Sequence, residues 1–425
     1  MASAVSECGP SAAAPAEPPS TPALTLDQAI NLCLLADPRI RAGLESINQS
    51  HADALTAALK PNPDLAADIQ LLPLTRPFTV TEQGGPPQFD VQIAYPIDWF
   101  LFGKQAAALV SAGLGVRVAE AEYADLVRRR VMEVALAFFD VLENRALREL
   151  ARQELENLRY VEAVARKGVE AGERTMVELN RVRLDLLSSQ RELRNAEAAL
   201  VASRARLRAL LGRCDADPGF DVAGTLDAPL AADPPPVEEA YRLAIQHRPD
   251  LAARRWKVSQ ARANVTVEER RAYPTIKPFL GYTRQFQRSI GFPDANSWSA
   301  WVEMSLPFCN RNQGNRAKAA SQAVQSQLEL ETGLIELRAE IETVVEELRA
   351  ARANAELIVP EQLRLAEQVR DAVEKAYRKG EQTLLDVLDA RRNYHETYRG
   401  YLTARATYWR ALYKFNAAVG KQVIR

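Results

Sequence analysis

Reactive side chains are scarce in this chain. Among its 425 residues there are four cysteines, three histidines and four methionines. The cysteines are Cys8, Cys33, Cys214 and Cys309, and the histidines are His51, His247 and His395. No two cysteines have CxxC spacing, no disulfide framework is indicated, and the histidines are too far apart in sequence to suggest a metal cluster. We therefore predict no bound metal, and ordinary surface or core positions for the three histidines.

Signatures of common enzymes are also missing. The sequence contains no GxSxG turn of a serine hydrolase, no glycine-rich phosphate-binding loop and no HExxH zinc motif. We expect neither catalysis nor a cofactor.

The chain has almost no net charge, with 54 basic and 55 acidic residues. Nucleic-acid-binding proteins usually carry a net basic surface, so this class is disfavoured. The charges are interspersed along stretches of helical pattern, which is typical of solvated helix faces. No uncharged apolar run approaches the roughly 20 residues that a membrane-spanning helix needs.

The N-terminal residues 1–24 are rich in alanine, proline and serine, and we expect them to be disordered. They show neither a basic region nor a continuous apolar core, so no secretory signal is recognised in them. Cys8 follows Ala4-Val5-Ser6-Glu7, which is a poor context for a lipid anchor. Export would require a signal that these residues do not display.

Proline is absent from long parts of the chain. None occurs between Ile97 and Asp217, and Pro360 is the only one after Pro307. Because proline disrupts helix interiors, these stretches of alanine, leucine, glutamate and arginine predict long helices. A helix over residues 104–167 would extend roughly 95 Å, too long for a compact domain.

The apolar residues of these helices recur with alternating spacings of three and four. This spacing predicts coiled coils, in which one seam packs against a partner helix. One run includes Leu179, Val182, Leu186, Leu193, Leu200 and Leu207, another includes Val387, Tyr394, Tyr401, Tyr408 and Phe415, and a third includes Leu330, Leu337, Ile341 and Leu348. The tyrosines of the second run are interpreted as seam residues.

Four segments alternate apolar and polar residues with period two, which predicts strands of about ten residues. Their apolar positions include Leu65, Ala67, Ile69 and Leu71, then Phe89, Val91, Ile93 and Tyr95, then Leu280 and Tyr282, and finally Ala300, Val302, Met304 and Leu306. Loops with proline and glycine join the strands in pairs, so each pair predicts a hairpin.

The order of these elements occurs twice. Asp37-Pro38 returns as Arg248-Pro249 with a shift of 211 residues, and Leu211-Gly212 returns as Val419-Gly420 with a shift of 208. Such duplication indicates an internal structural repeat. The predicted organisation is repeat 1 at 25–212 with its hairpin at about 65–97, a linker at 213–236, repeat 2 at 237–420 with its hairpin at about 276–307, and a tail at 421–425.

Four strands are too few to close a barrel. In lipid an open sheet would leave unsatisfied edges, so strands that span a membrane would have to be pooled from several chains. A four-stranded sheet on a soluble protein would show the same alternation, and periodicity alone leaves both possibilities open.

From about Thr25 to Gly420 the chain resembles the TolC-like outer-membrane factors of bacterial tripartite efflux systems. Leu306-Pro307-Phe308-Cys309-Asn310-Arg311-Asn312-Gln313-Gly314 is similar to the segment LPxFNRNQG of the CzcC-like heavy-metal branch, although Cys309 stands where an aromatic or aliphatic residue is more usual. The resemblance implies a mainly α fold with a β portion. Long antiparallel coiled coils would form an α-barrel across the periplasm, and each chain would supply four strands to a trimeric β-barrel in the outer membrane.

The resemblance also implies partners and cargo. A homotrimer in outer-membrane lipid would act as a passive export duct. Its partners would be a periplasmic adaptor and an inner-membrane pump, with the RND type as a candidate. Heavy-metal cations are a candidate cargo, and selectivity would reside in the pump. The alternative is a coiled-coil scaffold or adaptor outside the membrane, which the charged helix faces permit and the paired hairpins disfavour.

Matched positions imply a gate at the periplasmic end. Asp386 and Asp389 lie three residues apart, so both carboxylates share a helix face. Three copies would place six carboxylates around one axis, where crowding would raise their pKa values. Tyr377, Glu178 and Gln382 complete the implied constriction, and Gln382 replaces an arginine of the best-studied members. Gly172 and Gly380 mark the implied tips where adaptors dock.

Overall fold

The structure of the chain is a computed structural model, and it describes six ranges of residues: 23–75, 78–81, 85–172, 175–213, 220–379 and 381–424. The segment expected to be disordered, apart from its last two residues, lies outside these ranges, as do Cys8, Cys214 and Gly380.

Ten α-helices and four strands are found in the described ranges. The helices are α1 (Leu26–Ala36), α2 (Pro38–Ala58), α3 (Asp98–Leu101), α4 (Lys104–Glu170), α5 (Met176–Leu210), α6 (Val237–His247), α7 (Pro249–Arg271), α8 (Gln313–Ala353), α9 (Val359–Arg378) and α10 (Leu384–Val419). The strands are β1 (Asp64–Gln70), β2 (Gln88–Ala94), β3 (Ile276–Gln285) and β4 (Ala295–Met304). None of the described helices combines the length and apolar character needed to cross a bilayer.

The longest helix, α4, confirms the prediction from the missing prolines. It contains 67 residues and therefore extends about 100 Å. It starts after Gly103, whose φ of 64° lies in the left-handed region that glycine tolerates. The sheet lies near the first turn of α4, and the turn to α5 begins near Ala171 at its other end. The length of α4 therefore sets the distance between the sheet and this turn.

The equivalent helix of the second half is interrupted. Helix α8 passes through a π-helical turn at Asn354–Ile358 before α9 continues. Pro360 lies just after this turn, and proline has no N–H and crowds the carbonyl group four residues earlier, here that of Glu356. A π-helical turn is a common way to absorb such a disruption within a helix. The two long coils therefore differ in continuity although their order is the same.

The four strands form one antiparallel sheet in the order β1-β2-β3-β4. The register aligns the predicted apolar positions across all four strands, in rows such as Leu65–Ile93–Leu280–Ala300 and Ala67–Val91–Tyr282–Trp298. One face of the sheet is therefore largely apolar, and it becomes polar in β3 and β4 only in the row Ile69–Phe89–Arg284–Asn296.

The predicted strand length needs correction in the first half. Strands β3 and β4 contain ten residues, but β1 and β2 contain seven. Leu71, expected within the first strand, has a φ of 57°, which takes the backbone out of the extended region and ends β1. The alternation of apolar and polar residues predicted the strands, but it did not predict the positive φ at Leu71.

The predicted seams are the buried faces of the long helices. Val182, Leu200 and Leu207 are buried on α5, and Tyr408 and Phe415 are buried on α10. Two large apolar clusters lie around the short helices of each half, and a third joins α4, α5 and α10 near the helix ends. Tyr408 and Phe415 are core residues, as interpreted from their spacing, whereas Tyr394 and Tyr401 are half-buried.

The repeated Pro and Gly motifs meet in space. Gly212, which follows α5, lies against the backbone where α1 turns into α2, and a Cβ there would be 2.6 Å from the carbonyl oxygen of Ala36. Gly420, which follows α10, lies against the α6–α7 corner, where a Cβ would be 3.0 Å from the carbonyl carbon of His247. Each corner is thus closed by the glycine that ends its own repeat.

Each corner also carries an ion pair with a buried residue at the turn, Asp37 in the first repeat and Arg248 in the second, so the polarity is opposite. In the first, Arg130 of α4 contacts Asp37 at 2.6 Å, and their side chains are 6% and 2% exposed. In the second, Arg248 occupies the position equivalent to Asp37 and contacts Glu340 of α8 at 2.5 Å. The corners are similar in backbone but not interchangeable in charge.

Candidate gate at the helical tips

The first tip joins α4 to α5, and the second joins α9 to α10. Gly172 lies two residues after the last residue of α4 with a φ of 73°, and among the described residues no atom would lie within 4 Å of a Cβ at this position. The conformation of the turn therefore favours glycine here, independently of any docking role. Leu388 of α10 packs with Leu179 and Val182 of α5 in one buried cluster, so both tips lie at the same end of the folded molecule.

The helices that leave the two tips begin in the same way. Thr175 accepts a hydrogen bond from the backbone N–H of Glu178, whose carboxylate accepts one from the N–H of Thr175. Thr383 and Asp386 form the same reciprocal pair at the start of α10. Such capping boxes satisfy two backbone donors that a helix start otherwise leaves free. Glu178 and Asp386 are therefore structural equivalents in the two repeats.

Sequence reasoning missed this role for Glu178 and Asp386, two of the three predicted gate carboxylates. The signal was present, since both tips contain threonine followed three residues later by an acid. In the single chain the pKa of Asp386 is lowered, mainly because the side chain and then the backbone N–H of Thr383 donate hydrogen bonds to its carboxylate. Crowding in a ring of copies would act in the opposite direction.

The other predicted gate residues lie close by. Asp389 is one turn further along α10, with its side chain 57% exposed and 3.9 Å from Arg392. Gln382 is exposed in the turn before α10, and Tyr377 is half-buried in the last turn of α9. The structure thus places Asp386, Asp389, Gln382 and Tyr377 at the second tip and Glu178 at the first. Gly380 lies outside the described residues.

A polar region deeper in the coils was not predicted. His395 of α10 borders three adjoining cavities with volumes of about 490, 320 and 100 Å³. The residues around them come from α4, α5, α9 and α10, and carboxylates and arginines are prominent among them. A lone histidine in a helical sequence gives no sign of such surroundings. We call this region the His395 hub.

Comparison with known proteins identifies similar chains. A family model described as "Outer membrane efflux protein" matches residues 29–213 and 240–421. The "Cobalt-zinc-cadmium resistance protein CzcC" of Cupriavidus metallidurans is 28% identical over 402 residues, which cover 94% of this chain and 90% of that protein. "Protein CyaE" of Bordetella pertussis is 26% identical over 363 residues, covering 82% of this chain and 75% of that protein.

Solved structures share the fold at lower sequence identity. The Campylobacter jejuni CmeC outer membrane channel superposes with a TM-score of 0.79 at 15% identity, covering 94% of this chain and 86% of that one. The agreement extends over the coils and the sheet.

Proposed function

Because the chain belongs to the outer membrane efflux protein family, it is an outer-membrane efflux channel of tripartite systems that extends into the periplasm, and we propose that it works as a homotrimer. Three chains pool their strands into one twelve-stranded barrel and their long helices into one tube. The observation that carries the trimer is a sheet with one largely apolar face and two edges that lack a partner strand within the described residues.

The sheet supports the trimer through its exposed surface. Leu65, Ile69, Trp298 and Val302 are more than half exposed in the single chain. An apolar, open-edged sheet is stable neither in water nor in lipid unless its edges are paired. Closure with the strands of neighbouring copies removes both edges and leaves the apolar face toward lipid.

Two of the helices also expose apolar side chains that lack a packing partner in the described part of the single chain. Val177, Leu184 and Leu187 are exposed on α5, and Val324, Leu328 and Ile335 are exposed on α8. Apolar residues at such helical spacings are typical of a face that packs against another helix. Neighbouring protomers supply these missing contacts in the proposed tube.

For cargo, we propose heavy-metal cations that an inner-membrane pump of the RND type delivers through a periplasmic adaptor. The name of the Cupriavidus relative supports this class of substrate for that protein. Among the described residues, no three His, Cys, Asp or Glu side chains are grouped so that they could hold a metal ion. The channel is then a wide passive duct, and the pump selects the cation. The adaptor docks at the tips marked by Gly172 and Gly380.

Fractionation of cells tests the channel and its assembly. The chain, expressed with an export signal in a Gram-negative host, is expected to sediment with outer membranes and to migrate as a trimer that resists SDS. A soluble monomer in the periplasm would contradict the proposal and favour the scaffold alternative. A chain carrying Trp298→Asp and Val302→Asp is the matched variant, and we expect it to lose membrane association because charge on the lipid face is costly.

At the tip we propose a selective constriction formed by Asp386 and Asp389, with Tyr377, Gln382 and Glu178 around it. Replacing both aspartates with alanine is expected to reduce the preference for cations over anions, because six carboxylates leave the assembled ring. The reversal potential across planar bilayers under a salt gradient measures this preference.

Thr383→Ala is the control for the tip experiment. It removes the hydroxyl that donates to the Asp386 carboxylate and accepts from the Asp386 N–H, but it removes no charge, because threonine is neutral. We expect cation preference to persist in this variant. An unchanged reversal potential in the double aspartate variant would remove these residues from the constriction.

A further inference from the structure

His395 is a buried side chain with an unsatisfied nitrogen. It lies on α10, about 17 Å along the helix from the first residue, Leu384. The residue is 9% exposed, and its Nε2 makes no hydrogen bond in the part of the chain that the structure describes. Buried polar atoms are nearly always hydrogen-bonded, so this nitrogen requires an explanation.

The three cavities of the His395 hub lie between packed helices. The cavities of 490 and 100 Å³ lie among α4, α5 and α10, and the cavity of 320 Å³ lies among α4, α9 and α10. Asn144, Asn195 and Ser188 contribute polar groups to the largest one. Polar cavities of this size have room for water, which can carry protons to and from a buried group.

Charged groups face His395 from every helix around it. They are Glu154 of α4; Asp185, Arg191 and Glu192 of α5; Arg370, Asp371 and Glu374 of α9; and Arg391, Arg392 and Arg399 of α10. Three interhelical ion pairs form among them: Arg391–Glu374 at 2.8 Å, Arg392–Asp185 at 3.1 Å and Arg399–Glu192 at 2.7 Å. Arg370 pairs with Asp371 on its own helix.

Glu154 differs from the other carboxylates of the hub. Within the described residues it forms neither an ion pair nor a hydrogen bond. Desolvation by burial raises the pKa of Glu154, the charges of His395 and Arg391 lower it, and those of Glu192 and Asp185 raise it. The balance is upward, so the hub favours keeping a proton.

We propose that Glu154 of α4 and His395 of α10 share one proton across the two cavities that both side chains line, and that this proton-operated contact holds α10 against α4. One proton on this pair gives either a histidinium beside a carboxylate or a neutral acid beside a neutral imidazole. Both forms avoid an uncompensated buried charge. Without the proton, Glu154 carries a partly buried negative charge and His395 no longer offsets it.

The direction of the pH effect follows from this balance. The packed hub binds the proton more tightly than separated helices do, because its carboxyl pKa is raised. The contact is therefore strongest at low pH and weakens as the pH rises through the raised pKa of Glu154. The change falls above the ordinary range of a glutamate carboxyl, because burial raises the pKa of Glu154.

The proton is the ligand that the hub geometry supports. In the described ranges no three His, Cys, Asp or Glu side chains are arranged to bind a metal ion. Because α10 continues without a break from the hub to Asp386 and Asp389, loosening at His395 reaches the second tip. The contact gives the fold a pH-dependent coupling between the coils.

Hydrogen exchange of the full-length protein in detergent micelles tests this contact without relying on transport. Amide protection of residues 388–402 would be measured at about pH 5.5 and pH 7.5, after correction for the intrinsic exchange rate. We expect protection to fall at the higher pH, by roughly tenfold for each unit of pKa difference between the packed and separated hub. His395→Gln and Glu154→Gln should each remove this pH dependence.

The chain offers matched controls because it has three histidines in all. His51→Gln on α2 and His247→Gln on α6 change exposed histidines elsewhere, so the pH dependence should survive in both. If His395→Gln lowered protection relative to the wild type by the same factor at both pH values, His395 would have a packing role alone. This result would overturn the proposal. Persistence of the wild-type pH dependence in that variant would also overturn it.

Discussion

Replacing Arg130 with glutamine is expected to lower the free energy of unfolding by about 3–5 kcal/mol, as when one partner of a buried ion pair is removed. The guanidinium group contacts Asp37 and also Glu133, and the side chain of Asp37 is 2% exposed. Without Arg130, the carboxylate of Asp37 stays buried with no cation beside it. Urea denaturation in detergent micelles, followed by helix circular dichroism, measures the loss.

Arg117 provides the control on the same helix. It pairs with Glu120 at 3.1 Å, but its side chain is 62% exposed, and exposed pairs contribute roughly 0.2–1 kcal/mol. Arg117→Gln should therefore have little effect. The double variant Asp37→Asn with Arg130→Gln should lose less than the sum of the two single variants, because no uncompensated charge remains. Equal losses for Arg130→Gln and Arg117→Gln would contradict the structural role of the buried pair.

Alanine at position 212 is expected to destabilise the first corner by about 2–5 kcal/mol. Part of the loss, about 1–2 kcal/mol, arises because φ is 68° and left-handed backbone is unfavourable for residues with a Cβ. The remainder, about 1–3 kcal/mol, arises from overpacking, since the new methyl group would lie 2.6 Å from the carbonyl oxygen of Ala36. The same denaturation measurement applies.

Gly103→Ala separates the two contributions. Gly103 has a φ of 64°, but a Cβ there would have no neighbour within 4 Å in the part of the chain that the structure describes. We expect only the backbone cost in this variant, about 1–2 kcal/mol. If Gly212→Ala and Gly103→Ala lost equal stability, the close approach at the corner would contribute nothing. Gly420→Ala should resemble Gly212→Ala, because Gly420 lies against the backbone of His247.

The regular elements were predictable because their signals are local. Helix α4 followed from the missing prolines, and the rows of the sheet followed from period two, since both depend on the backbone geometry of successive residues. The end of β1 was missed, because nothing in the alternation predicts the positive φ of Leu71. The break between α8 and α9 accompanies Pro360, which the sequence analysis noted without predicting a π-helical turn.

The tip was partly predictable. The 208-residue shift of the repeat relates Glu178 to Asp386, and the threonine that lies three residues before each acid could have predicted their capping role. Their proposed role in a constriction depends on the neighbouring copies of an assembly, and the geometry of such an assembly is not encoded in the pattern of one helix.

Local chemistry was thus sufficient for the duplicated order of helices and strands, because hydrophobic period and turn residues act over a few positions. The pairing of Arg130 with Asp37, 93 residues away, required the packed fold, as did the contact of Gly212 with Ala36. The surroundings of His395 depend most clearly on the tertiary structure, since its neighbours in sequence are the charged residues found in many coiled-coil helices. Its burial, without a hydrogen bond to Nε2 from any described residue, arises where four helices meet, near Glu154. Which charged side chains surround it there depends on which helix faces pack together.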